Sequence, residues 1–290
     1  MDAITLEHDT LASLHALELP PTMAGLLAAL LERVGAAPGY FTHPLALPVL
    51  QLPAWLGAPA HHLPSLALAG ALGYLSVRVQ DDLIDDGVGD PGEAALLSAL
   101  LLHHHDAALA ALTPGPLFWS RSAKTWAAYG EAMLIERRLH AASHYTTADL
   151  DRVLDRSRPL ALPTAAWLCA DGRAARLPDL DALVSALVRA HQLHTDLLDL
   201  ETDCAAGRRT WLLAQLGDPP DTTALRRLLF AQGGLDTLLN HVRCHLRAVA
   251  DLSQVLGIDE AAEFAARRMA ALDASAARVQ EAFFRSLLGM

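Results

Sequence analysis

Four carboxylates crowd into six positions of the run Gln80-Asp81-Asp82-Leu83-Ile84-Asp85-Asp86. The run follows an almost uncharged stretch with helical apolar spacing, so it closes a helix. Carboxylates at a helix C-terminus repel one another and oppose the macrodipole. Solvation alone can offset that cost, and so can a divalent cation. Asp81 and Asp85 are four residues apart, which places them on one helical face about 6 Å apart along the axis. Oxygen donors at that spacing, with Asp82 beside them, suit Mg²⁺. No Cys/His pair lies nearby to suggest zinc.

A second acidic run, Gln192 to Trp211, lies more than a hundred residues later. It holds Asp196, Asp199 and Asp203, and Asp199 and Asp203 again share a helical face. Glu201 falls off that face and reads as solvent-exposed. Gly207-Arg208-Arg209 can stop the helix and set guanidinium groups beside the carboxylates. Arginine stays charged and binds phosphate oxygens in pairs. A carboxylate cluster repels a diphosphate, and Mg²⁺ between them removes the conflict of sign. Taken together, the two runs point to metals bridging a phosphate-bearing ligand whose remainder is apolar.

Helices must position these residues. The 290-residue chain has 55 Ala and 58 Leu, against 16 Val plus Ile. Ala and Leu favour helix and β-branched residues favour strand, so the chain reads as all-α. A hydrophobic share of 52% excludes disorder, and an aromatic share of 5% makes the core aliphatic. Apolar residues recur at helical spacing over 23–34, 66–82, 93–104, 122–140, 147–154, 165–170, 180–203, 222–230, 234–256 and 260–288. Thr147 and Asp221 read as N-caps. No linker divides the chain, so a single domain over 1–290 is expected.

The remaining composition narrows the function classes. A net charge of −11 excludes a broad basic nucleic-acid face. Lys124 is the only lysine, which removes Schiff-base and Walker-type lysine chemistry unless Lys124 supplies it. Three cysteines without a CxxC pair, and an acidic start without a signal-peptide pattern, give a cytoplasmic expectation. Val34 to Val77 contains no Asp, Glu, Lys or Arg. A membrane helix needs roughly 20 continuous apolar residues. Six prolines interrupt this stretch, so it reads as buried core helices with no membrane span. The run His103-His104-His105 reads as a solvated helix end, and His191 and His194 as packing residues. Glu131 and Glu136 read as helix-surface residues.

Asp81-Asp82-Leu83-Ile84-Asp85-Asp86 resembles the first DDxxD motif of the class I isoprenoid synthases: trans-prenyl diphosphate synthases, squalene/phytoene synthases and class I terpene synthases. The Gln192–Trp211 run resembles their second acidic motif, with its preceding Gln and following Gly-basic pair. The resemblance spans roughly residues 39–211. It implies a single large all-α bundle in which both motifs face a central apolar cavity. Asp81, Asp82, Asp85, Asp196, Asp199, Asp203 and Thr195 would be metal ligands for Mg²⁺, three ions in number. Asp81, Asp85, Asp199 and Asp203 would carry the catalysis. Arg158, Arg208 and Arg209 would bind the diphosphate, with Arg156 a second candidate beside Arg158. Tyr40, Phe41, Tyr74, Gln80 and Gln192 would line the substrate pocket; Trp126 and Trp167 are further aromatic candidates. The substrate would be an allylic prenyl diphosphate of C10–C20, and homodimerisation follows by analogy.

The departures from the family bear on which reaction is expected. Thr195 stands where prenyl elongases have the first of two adjacent aspartates. Gly39-Tyr40-Phe41-Thr42-His43-Pro44 matches a segment that binds isopentenyl diphosphate in elongases, but every basic residue is replaced. No basic residue lies between Gly87 and Arg121, where elongases carry two arginines. These losses favour a Mg²⁺-dependent class I terpene synthase, a carbon–oxygen lyase that ionises one allylic diphosphate and cyclises or quenches the cation. The alternative is a prenyltransferase, either of the squalene/phytoene head-to-head type or an unusual polyprenyl diphosphate synthase. A non-catalytic prenyl synthase subunit is a third reading, and retention of both acidic faces argues against it.

Overall fold

The computed structural model describes residues 3–36, 46–85, 90–139 and 144–287. Among them are thirteen α-helices and no strand: α1 Ala3–His15, α2 Pro21–Ala36, α3 Ala46–Trp55, α4 Leu63–Asp85, α5 Pro91–Ala110, α6 Gly115–Leu139, α7 Thr147–Leu154, α8 Leu162–Ala170, α9 Leu177–Ala206, α10 Trp211–Gln215, α11 Thr222–Ala231, α12 Gly234–Leu256 and α13 Asp259–Leu287. The fold is all-α, as the Ala and Leu excess requires. No described helix is long and apolar enough to cross a membrane. The chain forms two compact units, Met1–Lys124 with Pro159–Leu180, and Thr125–Arg158 with Asp181–Met290.

In the first unit α4 is the central strut, packed on α1, α3, α5 and α8. Its residues Ala71, Leu72, Leu75 and Val79 join Leu14, Leu27, Leu30, Leu50, Leu97 and Leu101 in one aliphatic cluster. Within the described part of the uncharged stretch, Leu50 and Leu52 of α3, beside its internal Pro53, and Leu66, Leu72 and Leu75 of α4 are buried in the core. Ser76 and Ser98 are buried between α4 and α5 and bond each other at 2.9 Å, so neither hydroxyl is stranded in the apolar core. His105 corrects an expectation: it is fully buried on α5, and its Nδ1–H donates to the Ala69 carbonyl at 2.7 Å. Gly73 makes the room, since a Cβ there would meet His105 Nδ1 at 3.0 Å.

In the second unit α12 buries Leu235, Leu238, Leu239, Val242, Leu246, Val249, Ser253 and Leu256, one stripe at helical spacing. It packs on α13 and α11. Asp221 caps α11 as expected. The cap of α7 is Thr146 rather than Thr147. Counting from Thr146, the third helical residue is Asp149, whose carboxylate accepts from the Thr146 N–H at 3.0 Å and closes a capping box.

Candidate active site

The first acidic motif ends α4. Tyr74, Arg78, Asp81 and Asp82 follow one another down a single face of that helix. Arg78 is the first charge after the uncharged stretch. Its Nη2 lies 2.9 Å from Asp82 Oδ1, and its Nη1 lies 3.6 Å from Asp81 Oδ2. Asp82 is buried, whereas Asp81 is partly exposed. The guanidinium thus offsets part of the repulsion that the sequence displays. Tyr74 has its hydroxyl pKa raised, chiefly by burial, with Arg78 acting against that shift. Gln80 turns to α5, where its amide donates to Ser98 Oγ at 2.7 Å. Asp85 is the last residue of α4; its side chain, together with Asp86, Tyr40 and Phe41, lies outside the described residues.

The second motif occupies the last turns of α9. Asp196 and Asp203, seven residues apart, are both buried; Thr195 is half-buried and Asp199 exposed. Gln192, one turn earlier, donates from Nε2 to Asp196 Oδ1 at 2.7 Å. Gln192 Oε1 in turn accepts from Arg156 Nη2 at 2.9 Å, and Arg156 pairs with Glu136. Burial pushes the Asp196 carboxyl up to about 7; Gln192 and Arg156 oppose that shift, while Asp203 and Glu136 add to it. On the same helix, His194 Nδ1 accepts from Arg268 Nη2 at 3.0 Å. Burial, with Arg268 adding, holds its imidazole down at about 4.

Glycine sets the end of α9. Gly207 takes φ +66°, a left-handed conformation that closes a Schellman motif. The Gly207 N–H donates to the Cys204 carbonyl, and the Arg208 N–H donates to the Asp203 carbonyl at 2.9 Å. The Arg208 side chain then returns to the Asp203 carboxylate at 3.0 Å. Arg209 pairs with Asp218, and Arg158 pairs with Asp155 at 2.7 Å. Glu201 is exposed as expected and accepts hydrogen bonds from Nε and Nη2 of Arg226.

Three of these participants escaped the sequence reading. Arg78 was legible in principle, three and four residues before the aspartates. Glu136 read as a surface residue but is half-buried against Arg156, twenty residues away. Arg268 carries no local signal at all, because it reaches His194 from α13.

The donor set fits Mg²⁺. Around each helix end the acidic donors are carboxylate oxygens. No group of three or more His, Cys, Asp or Glu converges among the described residues. Mg²⁺ typically uses one or two carboxylates, keeps several waters and takes the rest of its shell from substrate phosphates, so a closed protein cage is not needed.

No family model and no curated protein matches the chain. Solved structures do match it. The polyprenyl synthase from Caulobacter crescentus CB15, complexed with calcium and isoprenyl diphosphate, is 16% identical with a TM-score of 0.70, over 91% of this chain and 94% of that one. The geranylgeranyl pyrophosphate synthetase from the archaeon Geoglobus acetivorans is 17% identical with a TM-score of 0.66, over 91% and 96%. A geranyltranstransferase from Methanosarcina mazei is 15% identical with a TM-score of 0.63, over 92% and 96%. The chain therefore has the all-α fold of the class I isoprenoid synthases.

Proposed function

We propose that this chain is a divalent-metal-dependent prenyltransferase acting on an allylic prenyl diphosphate. The observation that carries the reading is the joint occurrence of two acidic helix ends, each with an arginine on its own carboxylate, in a chain that matches prenyl diphosphate synthases almost end to end. The comparisons thus support prenyl transfer over the lyase-type cyclisation that the missing basic residues suggested. Asp81 and Asp85 on α4, and Asp199 and Asp203 with Asp196 and Thr195 on α9, would hold Mg²⁺. When bound, Mg²⁺ would offset the diphosphate charge and draw electron density toward the leaving group. Arg208 and Arg209 extend from the glycine stop of α9 and supply cations for the departing diphosphate. The allylic C–O bond breaks, a carbon–carbon bond forms to the second substrate, and a proton is lost.

One observation favours a second reading, cyclisation of a single substrate. The chain lacks basic residues both in Gly39–Pro44 and between Gly87 and Arg121, so an anionic second substrate has no cradle there. Incubation with Mg²⁺ and C10 to C20 allylic diphosphates, with and without isopentenyl diphosphate, separates the readings. Longer diphosphates formed only with isopentenyl diphosphate, or C30 or C40 condensation products, support prenyl transfer. Hydrocarbon or alcohol with the same carbon count as the one allylic diphosphate supplied overturns it in favour of cyclisation. No product from any combination removes both.

A further inference from the structure

Arg156 lies on the 3₁₀ turn Asp155–Ala161 that follows α7, and it is half-buried. By sequence position it is a candidate diphosphate ligand. Its geometry assigns it other work. One edge of the guanidinium meets Glu136 of α6, and Nη2 donates to Gln192 Oε1 at 2.9 Å. The other end of that amide donates to Asp196 Oδ1 at 2.7 Å. Glu136, Arg156, Gln192 and Asp196 therefore form one line of contacts, all within the second unit.

A guanidinium has only donors, whereas an amide has one accepting and one donating end. Arg156 therefore settles which way Gln192 points. The reversed amide would set N–H against N–H at Arg156 and oxygen against oxygen at Asp196. Glu136 completes the arrangement by balancing the Arg156 charge. Tyr145 adds a wall: it packs on Ile135, Leu139 and Val153, and its raised hydroxyl pKa, due first to burial, also reflects Glu136 and Asp196 nearby.

We propose that Arg156 is a positioning residue that acts through Gln192 to fix the Asp196 carboxylate as a metal ligand, and that it does not itself bind diphosphate. This rests on the metal-dependent reading above. Partners that orient a metal ligand typically matter by roughly 10–100-fold in metal affinity. The test uses the full chain and Mn²⁺ binding measured by electron paramagnetic resonance, without substrate. Arg156→Lys keeps a charge for Glu136 but cannot span to Gln192, and should weaken Mn²⁺ binding by roughly 10–100-fold. At saturating metal, KM for the allylic diphosphate and affinity for inorganic pyrophosphate should stay unchanged. Gln192→Leu should give the same loss, and the combined variant should lose no more, as for residues acting in series. Glu136→Gln combined with Arg156→Gln removes both half-buried charges together and serves if the lysine variant does not fold. A variant that binds Mn²⁺ like the parent but loses pyrophosphate would overturn the inference and make Arg156 a diphosphate ligand. A parent chain that binds no Mn²⁺ either alone or with inorganic pyrophosphate present overturns the metal-dependent reading, and the inference with it.

Discussion

Arg78 lies one helical turn before Asp82, and its Nη2 stands 2.9 Å from Asp82 Oδ1. A cation is thus built into the helix whose end carries the first acidic motif. Its consequence is testable without substrate. Arg78→Gln should lower the metal-free protein's stability by about 1–2 kcal/mol, since buried Asp82 loses a charged partner while Arg78 itself is half-exposed. Urea denaturation in EDTA measures the loss. Saturating Mg²⁺ should recover part of it, because a ligand that binds only the folded state stabilises it by mass action. If the urea midpoint in EDTA does not move, the pair contributes nothing.

Two neighbours on α9 should give opposite pH slopes. Burial holds the Asp196 carboxyl at about 7, above its ordinary 3.8. Between those values the folded state keeps a proton that the unfolded state has released, so this group makes stability fall as pH rises from about 4 to about 7. Burial holds His194 at about 4, below its ordinary 6.5. The unfolded state then binds the extra proton, so stability rises with pH over about 4 to 6.5. The two contributions oppose each other. In EDTA, Asp196→Asn should leave a curve that rises more steeply with pH than the parent's, and His194→Gln one that falls. Thermal melts across that range would check both signs.

Glycines on helices divide into two kinds. A Cβ at Gly73 would meet the buried His105 ring at 3.0–3.1 Å, whereas one at Gly25 of α2 meets nothing within 4 Å. Gly73→Ala should therefore cost about 1–3 kcal/mol by overpacking. Gly25→Ala should instead stabilise by about 0.5–1 kcal/mol from helix propensity. Chemical denaturation of the two variants should move in opposite directions.

Much of this architecture was legible because it depends on local chemistry. The Ala and Leu excess, the positions of α4 and α9, and the acidic clusters at their ends follow from spacing along single helices. What was not legible depends on contacts between distant segments. α1 was missed because Leu11 and Leu14 pack on the α4 cluster, a partner that local spacing does not show. α10 is a five-residue helix held by its Thr210 cap, too short for any period to register. His105 read as solvated because nothing local announces that Gly73 opens a slot for it. Arg156 and Arg158 were equivalent by position; only the structure separates them, sending one to Gln192 and the other to Asp155.

The adjacent aspartates Asp81 and Asp82 should separate in the same way. Asp82 is buried and lies within hydrogen-bond distance of Arg78, so its first contribution is to the fold. Asp81 is partly exposed and sits 3.6 Å from the same guanidinium, a looser contact than that of Asp82. Asp81→Ala should abolish turnover while shifting the urea midpoint little. Asp82→Ala should lower the midpoint markedly, through the loss of a buried charge pair, and reduce turnover less. Initial rates at saturating Mg²⁺, read beside denaturation curves for the same two preparations, make the comparison. The assignment fails if Asp81→Ala retains activity or if the two variants lose stability and rate in parallel. Parallel losses would mean that Arg78 binds both carboxylates as one structural unit and that the metal takes its ligands elsewhere.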